Sequence, residues 1–167
     1  LNETKRLSKL TKDLMILVRE NDIKLQKEDI NVDEFIENII LPYKDIAEAQ
    51  EKVFKSNLNF GKDASIDPNK IHQLLVILLD NAIKYTEAGK IEFTVDWDPK
   101  KYTLIIKVED TGRGIKEEDK DKLFAKFERL QVEKVSSVQG TGLGLAITKN
   151  LIEIMGGSVT VDSEYDS

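Results

Sequence analysis

Asn81 and Lys84 stand three residues apart in a run whose apolar residues recur at three- and four-residue steps. On a helix, positions three apart are neighbours on one face. The stripe Ile71, Leu74, Leu75, Leu78, Leu79 and Ala82 fixes which way that face points. A carboxamide oxygen is a hard donor suited to Mg²⁺, and magnesium keeps several waters and bridges phosphate oxygens, so one protein ligand is enough. Lys84 could then meet phosphate charge directly. Asp110 ends a strand-like run and opens Thr111-Gly112-Arg113-Gly114. A carboxylate there can accept a hydrogen bond from the exocyclic amine of adenine, and the glycines let the backbone approach a base. Gly140-Thr141-Gly142-Leu143-Gly144 leads into a helix, whose free N–H groups and dipole favour an anion. Before it come Phe124 and Phe127, and Arg129, placed to clamp a terminal phosphate.

Each block has an ordinary explanation by itself. Asn and Lys decorate solvated helix faces, Asp and Gly make turns, Phe pairs fill cores, and a lone Arg sits on a surface. The glycine string is no Walker loop, because no Gly-Lys-Ser/Thr follows, and no βαβ unit precedes it as a dinucleotide turn requires. The order of all four blocks within one domain-sized stretch is the stronger signal.

Composition sets the frame. The chain has 167 residues, 40% hydrophobic and 34% charged, enough for one full core plus an appendage. Its net charge of −6 argues against nonspecific nucleic-acid binding, which needs a basic surface. A polyphosphate would have to be held by local donors and a bound cation. With no cysteine, disulfides, thiolate zinc sites and cysteine nucleophiles are excluded. No apolar run reaches the roughly 18 residues that span a bilayer. Both ends read as cuts through a longer protein, so a membrane anchor could lie outside this chain.

The elements that must position these blocks follow from periodicity. Residues 1 to about 26 read as one helix with a seam of Leu7, Leu10, Leu14 and Leu17, which needs a partner helix to be buried. Gln26 to Asn31 reads as a polar hinge. A helix then starts near Asp33 and carries Phe35, Ile36, Ile39 and Ile40, and Asn57 to Phe60 is a short strand. Asp67-Pro68 caps the helix of Asn81, which runs to about Thr86. Lys90 to Asp98 and Tyr102 to Glu109 alternate and form a hairpin. Lys116 to Phe127 has helical spacing, and Gln131 to Gln139 has no period and reads as mobile. Gly142 to Met155 is a helix stopped by Gly156-Gly157, and Ser158 to Val161 is a last strand. The predicted fold class is α+β, a two-layer sandwich with a mixed, mainly antiparallel sheet and an N-terminal helix.

The ordered set Asn81…Lys84, Asp110-x-Gly112-x-Gly114, Phe124-x-x-Phe127 and Gly140-x-Gly142-x-Gly144 resembles the four sequence boxes of the sensor histidine kinase catalytic domain, of the GHKL or Bergerat type. The resemblance covers residues 32 to 163. It implies a catalytic ATP-binding domain over 32–167, with residues 1–28 as part of the second helix of the dimerisation domain. It implies that Asn81 holds Mg²⁺, Lys84 touches phosphate, Tyr85 packs by the nucleotide and Asp110 reads adenine. Gly112 and Gly114 would shape the base pocket, Phe124 to Gln139 would form a lid, and Gly140, Gly142 and Gly144 would cradle phosphates. Ile115, Thr141 and Leu143 fall in the same boxes and count with the ATP-binding residues, while Asn81, Lys84 and Arg129 are the catalytic set. The cofactors implied are ATP and Mg²⁺. The partners implied are the parent's own dimerisation domain in a homodimer and a response regulator receiver domain. The resemblance implies a cytoplasmic domain, whose parent could be anchored in the inner or cell membrane.

Two departures bear on the chemistry. The family often has a second Asn one turn before the metal Asn, and its ATP-hydrolysing relatives such as gyrase carry a Glu there. Here the position is Ile77, which cannot act as a base, and this favours transfer to a protein over hydrolysis. The only histidine, His72, lies nine residues before Asn81, without the neighbouring acid of the family's phosphoacceptor. The expected function is therefore γ-phosphoryl transfer to a histidine outside this chain. The alternatives are a GHKL serine kinase or ATPase, and a non-catalytic pseudokinase that serves as a dimerisation module.

Overall fold

The computed structural model describes residues 3–5, 7–9, 11–12, 24–123 and 144–165. These fall into two compact units, residues 26–113 and residues 1–25 with 114–167.

The first unit runs β1 (Glu28–Asn31), α1 (Val32–Ala49), β2 (Val53–Leu58), β3 (Asp63–Ile66), α2 (Pro68–Tyr85), β4 (Lys90–Asp98) and β5 (Thr103–Asp110). β4 is the middle strand of a mixed sheet, parallel to β2 and antiparallel to β5. β1 and β3 form a separate antiparallel ribbon. Alternation along β4 puts Ile91, Phe93 and Val95 fully inside and Glu92, Thr94 and Asp96 on the other face. The helices answer with apolar stripes: Val32, Ile36, Ile39 and Ile40 from α1, and Ile71, Leu74, Leu75, Leu79, Ala82 and Ile83 from α2. Ala82, Ile83 and Ile91, with Tyr43, Phe54 and Val108 packed on them, join both helices to all three strands. Helices therefore cover one side of a sheet, the two layers expected.

Local chemistry sets the element ends. Asn31 caps α1, its side chain accepting from Glu34 N–H at 3.1 Å. Asp67 caps α2, accepting from Lys70 N–H at 3.2 Å, and Pro68 follows where a missing N–H costs nothing. The same buried carboxylate takes Gln26 N–H at 2.9 Å. Burial pushes the Asp67 carboxyl up, but its bonds from Gln26, Lys70 N–H and the Lys70 ammonium outweigh that and hold it below the usual range. α1 ends in a six-to-one turn, with Lys52 N–H on Ala47 O at 2.9 Å and Glu51 N–H on Glu48 O at 3.0 Å. Glu51 occupies its left-handed position at φ 58°, where glycine is usual.

In the other unit, α3 (Glu117–Lys120) is short and α4 spans Gly144–Ile154. Gly156 at φ 78° stops α4, with Gly157 N–H on Ile152 O at 2.9 Å and Gly156 N–H on Glu153 O at 3.0 Å. Of the N-terminal seam, Glu3–Lys5, Leu7–Lys9 and Thr11–Lys12 are helical and Leu7 is 60% exposed; Leu10, Leu14 and Leu17 lie outside the described residues. Among the described residues no helix is long and apolar enough to cross a membrane.

Five expectations need correction. The helix expected from residue 1 to about 26, with its domain reaching 28, does not include residues 24–27, where Gln26 N–H turns to the Asp67 carboxylate at 2.9 Å, and Glu28 already belongs to β1. The hinge at Gln26 to Asn31 contains β1, because β3, which the pattern did not reveal, supplies a ladder from Glu28↔Ile66 to Asn31↔Asp63. The strand expected at Asn57 to Phe60 is β2, shifted to Val53–Leu58 by its register on β4, while Phe60 turns into the core against Trp97 with ring centroids 5.3 Å apart. The helix at Lys116 holds only Glu117–Lys120 as α-helix, followed by three-residue turns from Lys122 N–H to Asp119 O and Leu123 N–H to Lys120 O. Ser158 to Val161 joins no ladder among the described residues. A strand exists only through a neighbour's backbone, and this segment continues to Ser163, whose Oγ accepts from Ile115 N–H at 2.8 Å.

Candidate nucleotide site

The last turn of α2 carries Asn81 and Lys84, both half-buried, and Tyr85, exposed at its end. The buried face of that turn, Ala82 and Ile83, is fixed in the core, so the polar residues are held on the opposite side. Three further ties act here. Tyr43 of α1 donates its hydroxyl to Asp80, the residue before Asn81, and burial together with the Asp80 charge pushes the phenol far up. Lys52 donates from Nζ to the Ile83 carbonyl at 2.7 Å and to Gln50 Oε1 at 2.6 Å. Gly112 lies so close that an added Cβ would be 2.6 Å from the Tyr85 carbonyl oxygen.

That last contact joins two of the sequence blocks. Asp110 is the final residue of β5, paired with Ile91. Its Oδ1 accepts from Gly112 N–H at 2.9 Å, folding the Asp-Thr-Gly turn back on itself. The turn is laced to the start of β4 by Thr111 N–H on Lys90 O at 3.0 Å and Lys90 N–H on Thr111 Oγ1 at 2.9 Å. Gly89, at φ 128°, is the residue that permits this, since a Cβ there would run into Thr111 Oγ1. Arg113 reaches Glu87 at 3.3 Å across the same turn, a solvated pair worth little by itself. The structure thus brings Asn81, Lys84 and Tyr85 together with Asp110 and Gly112 at one corner of the unit.

Gly114 and Ile115 belong to the other unit. There Gly114, at φ 76°, is packed against the Glu164 carbonyl, where a Cβ would collide. Gly144 opens α4 and its carbonyl accepts from Thr148 Oγ1 at 3.0 Å. Phe124, Arg129, Gly140, Thr141, Gly142 and Leu143, with the lid region 124–139, lie outside the described residues. His72 is exposed near the start of α2, and Ile77 is half-buried. Among the described residues no group of three His, Cys, Asp or Glu could cage a metal. A lone amide oxygen at Asn81 suits an ion that keeps its waters and rides on phosphate, as Mg²⁺ does.

Sequence reasoning missed three supports. Lys52 sits in the polar run Gln50-Glu51-Lys52, which carries no sign of burial. Tyr43 reads as one more residue of α1. Thr111 lies inside a recognised block, but its bonds to Lys90 depend on strand register.

A family model for histidine kinase-, DNA gyrase B-, and HSP90-like ATPases matches residues 66–167. The chain is 33% identical over 165 residues to the sensor histidine kinase WalK of Bacillus subtilis, covering 97% of this chain and 27% of that protein. Among solved structures, full-length ShkA in complex with AMPPNP superposes with a TM-score of 0.82 at 25% identity, over 95% of this chain and 33% of ShkA. The histidine kinase ThkA, solved with the response regulator protein TrrA, superposes with a TM-score of 0.71 at 28% identity, over 93% of this chain and 42% of that one.

Proposed function

Because the chain belongs to the family of histidine kinase-, DNA gyrase B-, and HSP90-like ATPases, we propose that it binds ATP and presents the γ-phosphoryl group to a histidine outside this chain, as the catalytic domain of a sensor histidine kinase. The supporting observation is the close approach of Gly112 to the Tyr85 carbonyl, which puts the Asp110 turn against the end of α2. An adenine amine bonded by Asp110 then has Tyr85 beside it, and the phosphates run toward Lys84 and Asn81.

In this reading Asn81 holds Mg²⁺ against the phosphates. When bound, the ion neutralises charge and orients the terminal phosphate. Lys84 adds a point charge, the turn from Gly140 to Gly144 contributes backbone N–H groups, and Arg129 takes the terminal phosphate. Gly114, Ile115, Thr141 and Leu143 border the nucleotide, and Phe124 belongs to a lid. The acceptor imidazole supplies the nucleophile. It forms a nitrogen–phosphorus bond as the bond from the γ-phosphorus to the bridging oxygen breaks and ADP leaves. No base is required at Ile77, and none is present there. Catalysis is then mostly positioning and charge neutralisation.

The parent's dimerisation domain supplies that histidine, and the helical residues 3–5, 7–9 and 11–12 belong to its second helix. The homodimer passes phosphate to a receiver domain, as the ThkA–TrrA complex suggests.

Titration calorimetry with the Mg²⁺ complex of AMPPNP tests the site. The chain binds, and Asp110→Ala weakens binding by roughly ten- to a hundredfold, since a charge-assisted hydrogen bond is worth about 1.5–3 kcal/mol. Absence of binding by the unaltered chain would leave only a scaffold role. Equal affinity of the variant would remove Asp110 from the base pocket.

A further inference from the structure

Lys52, one of the ties at the end of α2, is a buried lysine. It is only 9% exposed. Lysine is almost never that buried without a charged partner, yet its two acceptors are the Ile83 carbonyl at 2.7 Å and the Gln50 amide oxygen at 2.6 Å, neither of them a carboxylate. Burying such a head group is costly unless its bonds are well made, so the place it occupies must reward it.

That place is the end of a helix. The last four carbonyls of an α-helix have no partner within it, and they form the negative pole of its dipole. α2 ends at Tyr85, and Thr86 is already extended at φ −103°, ψ 95°, so Ile83 O is one of those four. Nζ of Lys52 fills the vacancy. The chain accepts local strain to bring it there, holding Glu51 at φ 58° in the turn that ends α1. The next residue continues the buttress, with Val53 N–H on Gly89 O at 2.9 Å. Lys52 and Val53 together grip both ends of the turn from Thr86 to Gly89.

We propose that Lys52 is a positioning residue for the phosphate end of the site. It bonds the peptide between Ile83 and Lys84, which sets the direction of the Lys84 side chain and steadies the last turn, where Asn81 also sits. A cation at a helix C-terminus also offsets the negative pole of α2. The inference rests on the ATP reading above. It assigns Lys52 no contact with nucleotide, and no part in holding the adenine, whose turn is fastened to β4 through Thr111 and Lys90.

The test compares two probes, adenosine and Mg²⁺·AMPPNP, on the unaltered chain and on Lys52→Met, at a temperature where circular dichroism shows both folded. Lys52→Met lowers AMPPNP affinity about tenfold and changes adenosine affinity less than twofold. A merely structural role would lower the melting temperature and leave the ratio of the two affinities as it was, and that result overturns the proposal. Should Lys52→Met not fold, Gln50→Leu at an exposed position loosens the same nitrogen. It gives a smaller loss, about threefold, again confined to AMPPNP, and an unchanged ratio there is equally fatal. If the unaltered chain binds neither probe, it is the ATP reading that fails.

Discussion

Gly112→Ala is the sharpest perturbation of the corner where the Asp110 turn meets α2. A Cβ built on Gly112 would be 2.6 Å from the Tyr85 carbonyl oxygen, 2.8 Å from Asp110 Oδ1 and 3.4 Å from the Tyr85 carbonyl carbon. The carboxylate can rotate away, but the carbonyl cannot: it closes a helix whose last turn is packed in the core. The turn itself must therefore retreat by about 0.8 Å to restore ordinary contact, and overpacking of this kind costs about 1–3 kcal/mol. A shift of that size takes Asp110 out of hydrogen-bond range of a base held at the original distance. Nucleotide affinity should fall at least tenfold, about 1.4 kcal/mol, with the melting temperature down by several degrees. Gly61→Ala is the control. Gly61 has φ +73° with nothing within 4 Å of the added atom, so it loses about 1 kcal/mol of stability with unchanged affinity. Calorimetry with Mg²⁺·AMPPNP and thermal unfolding read both quantities. If Gly112→Ala bound the analogue within twofold of the unaltered chain, the corner would not be where the base is read.

Two further predictions concern the frame. The Asp67 carboxyl titrates below its ordinary value, so its contribution is complete above about pH 4 and is lost as pH falls through the lowered value. Asp67→Asn keeps a good cap but not the charge. The melting-temperature gap between the two proteins should be widest at neutral pH and close in acid, and a gap that is constant from pH 7 to pH 3 contradicts the assignment. Glu51→Gly relieves a left-handed residue and should stabilise by about 1 kcal/mol in chemical denaturation, because the turn that seats Lys52 is kept. A loss of stability there would show that Glu51 makes contacts worth more than its strain.

Much of the frame was legible because it follows from short-range rules. The strict alternation of β4 and β5, the Asp67-Pro68 start of α2 and the Gly156-Gly157 stop each carry their signal within a few residues, and all are seen. β1 and β3 were not legible. Each is four residues long, Glu-Asp-Ile-Asn and Asp-Ala-Ser-Ile, with too few apolar positions to show a period, and they exist because each is the other's ladder. The start of β2 was hidden for a related reason, since its length is set by parallel pairing with a strand more than thirty residues away. Within the site, Asn81, Lys84 and Asp110 were visible as chemistry. The groups that hold them in place were not, because Tyr43 and Lys52 gain their meaning only from contacts across the fold.

The parallel pairing of β2 with β4 has a consequence for what the chain can tolerate. Two parallel neighbours need a return path along the sheet, and here that path includes α2. The helix with Asn81 and Lys84 is therefore a crossover fastened at both ends, by the Asp67 cap at its start and by Gly89 and the first rung of β4 at its finish. Deleting one residue between Pro68 and Gly89 leaves two outcomes. Either the polar face swings by about 100° around the axis, or β4 slips one place and turns Phe93 and Val95 out of the core. The residue count of this arm is therefore fixed, whereas the hairpin tip between Asp98 and Thr103 should accept added length.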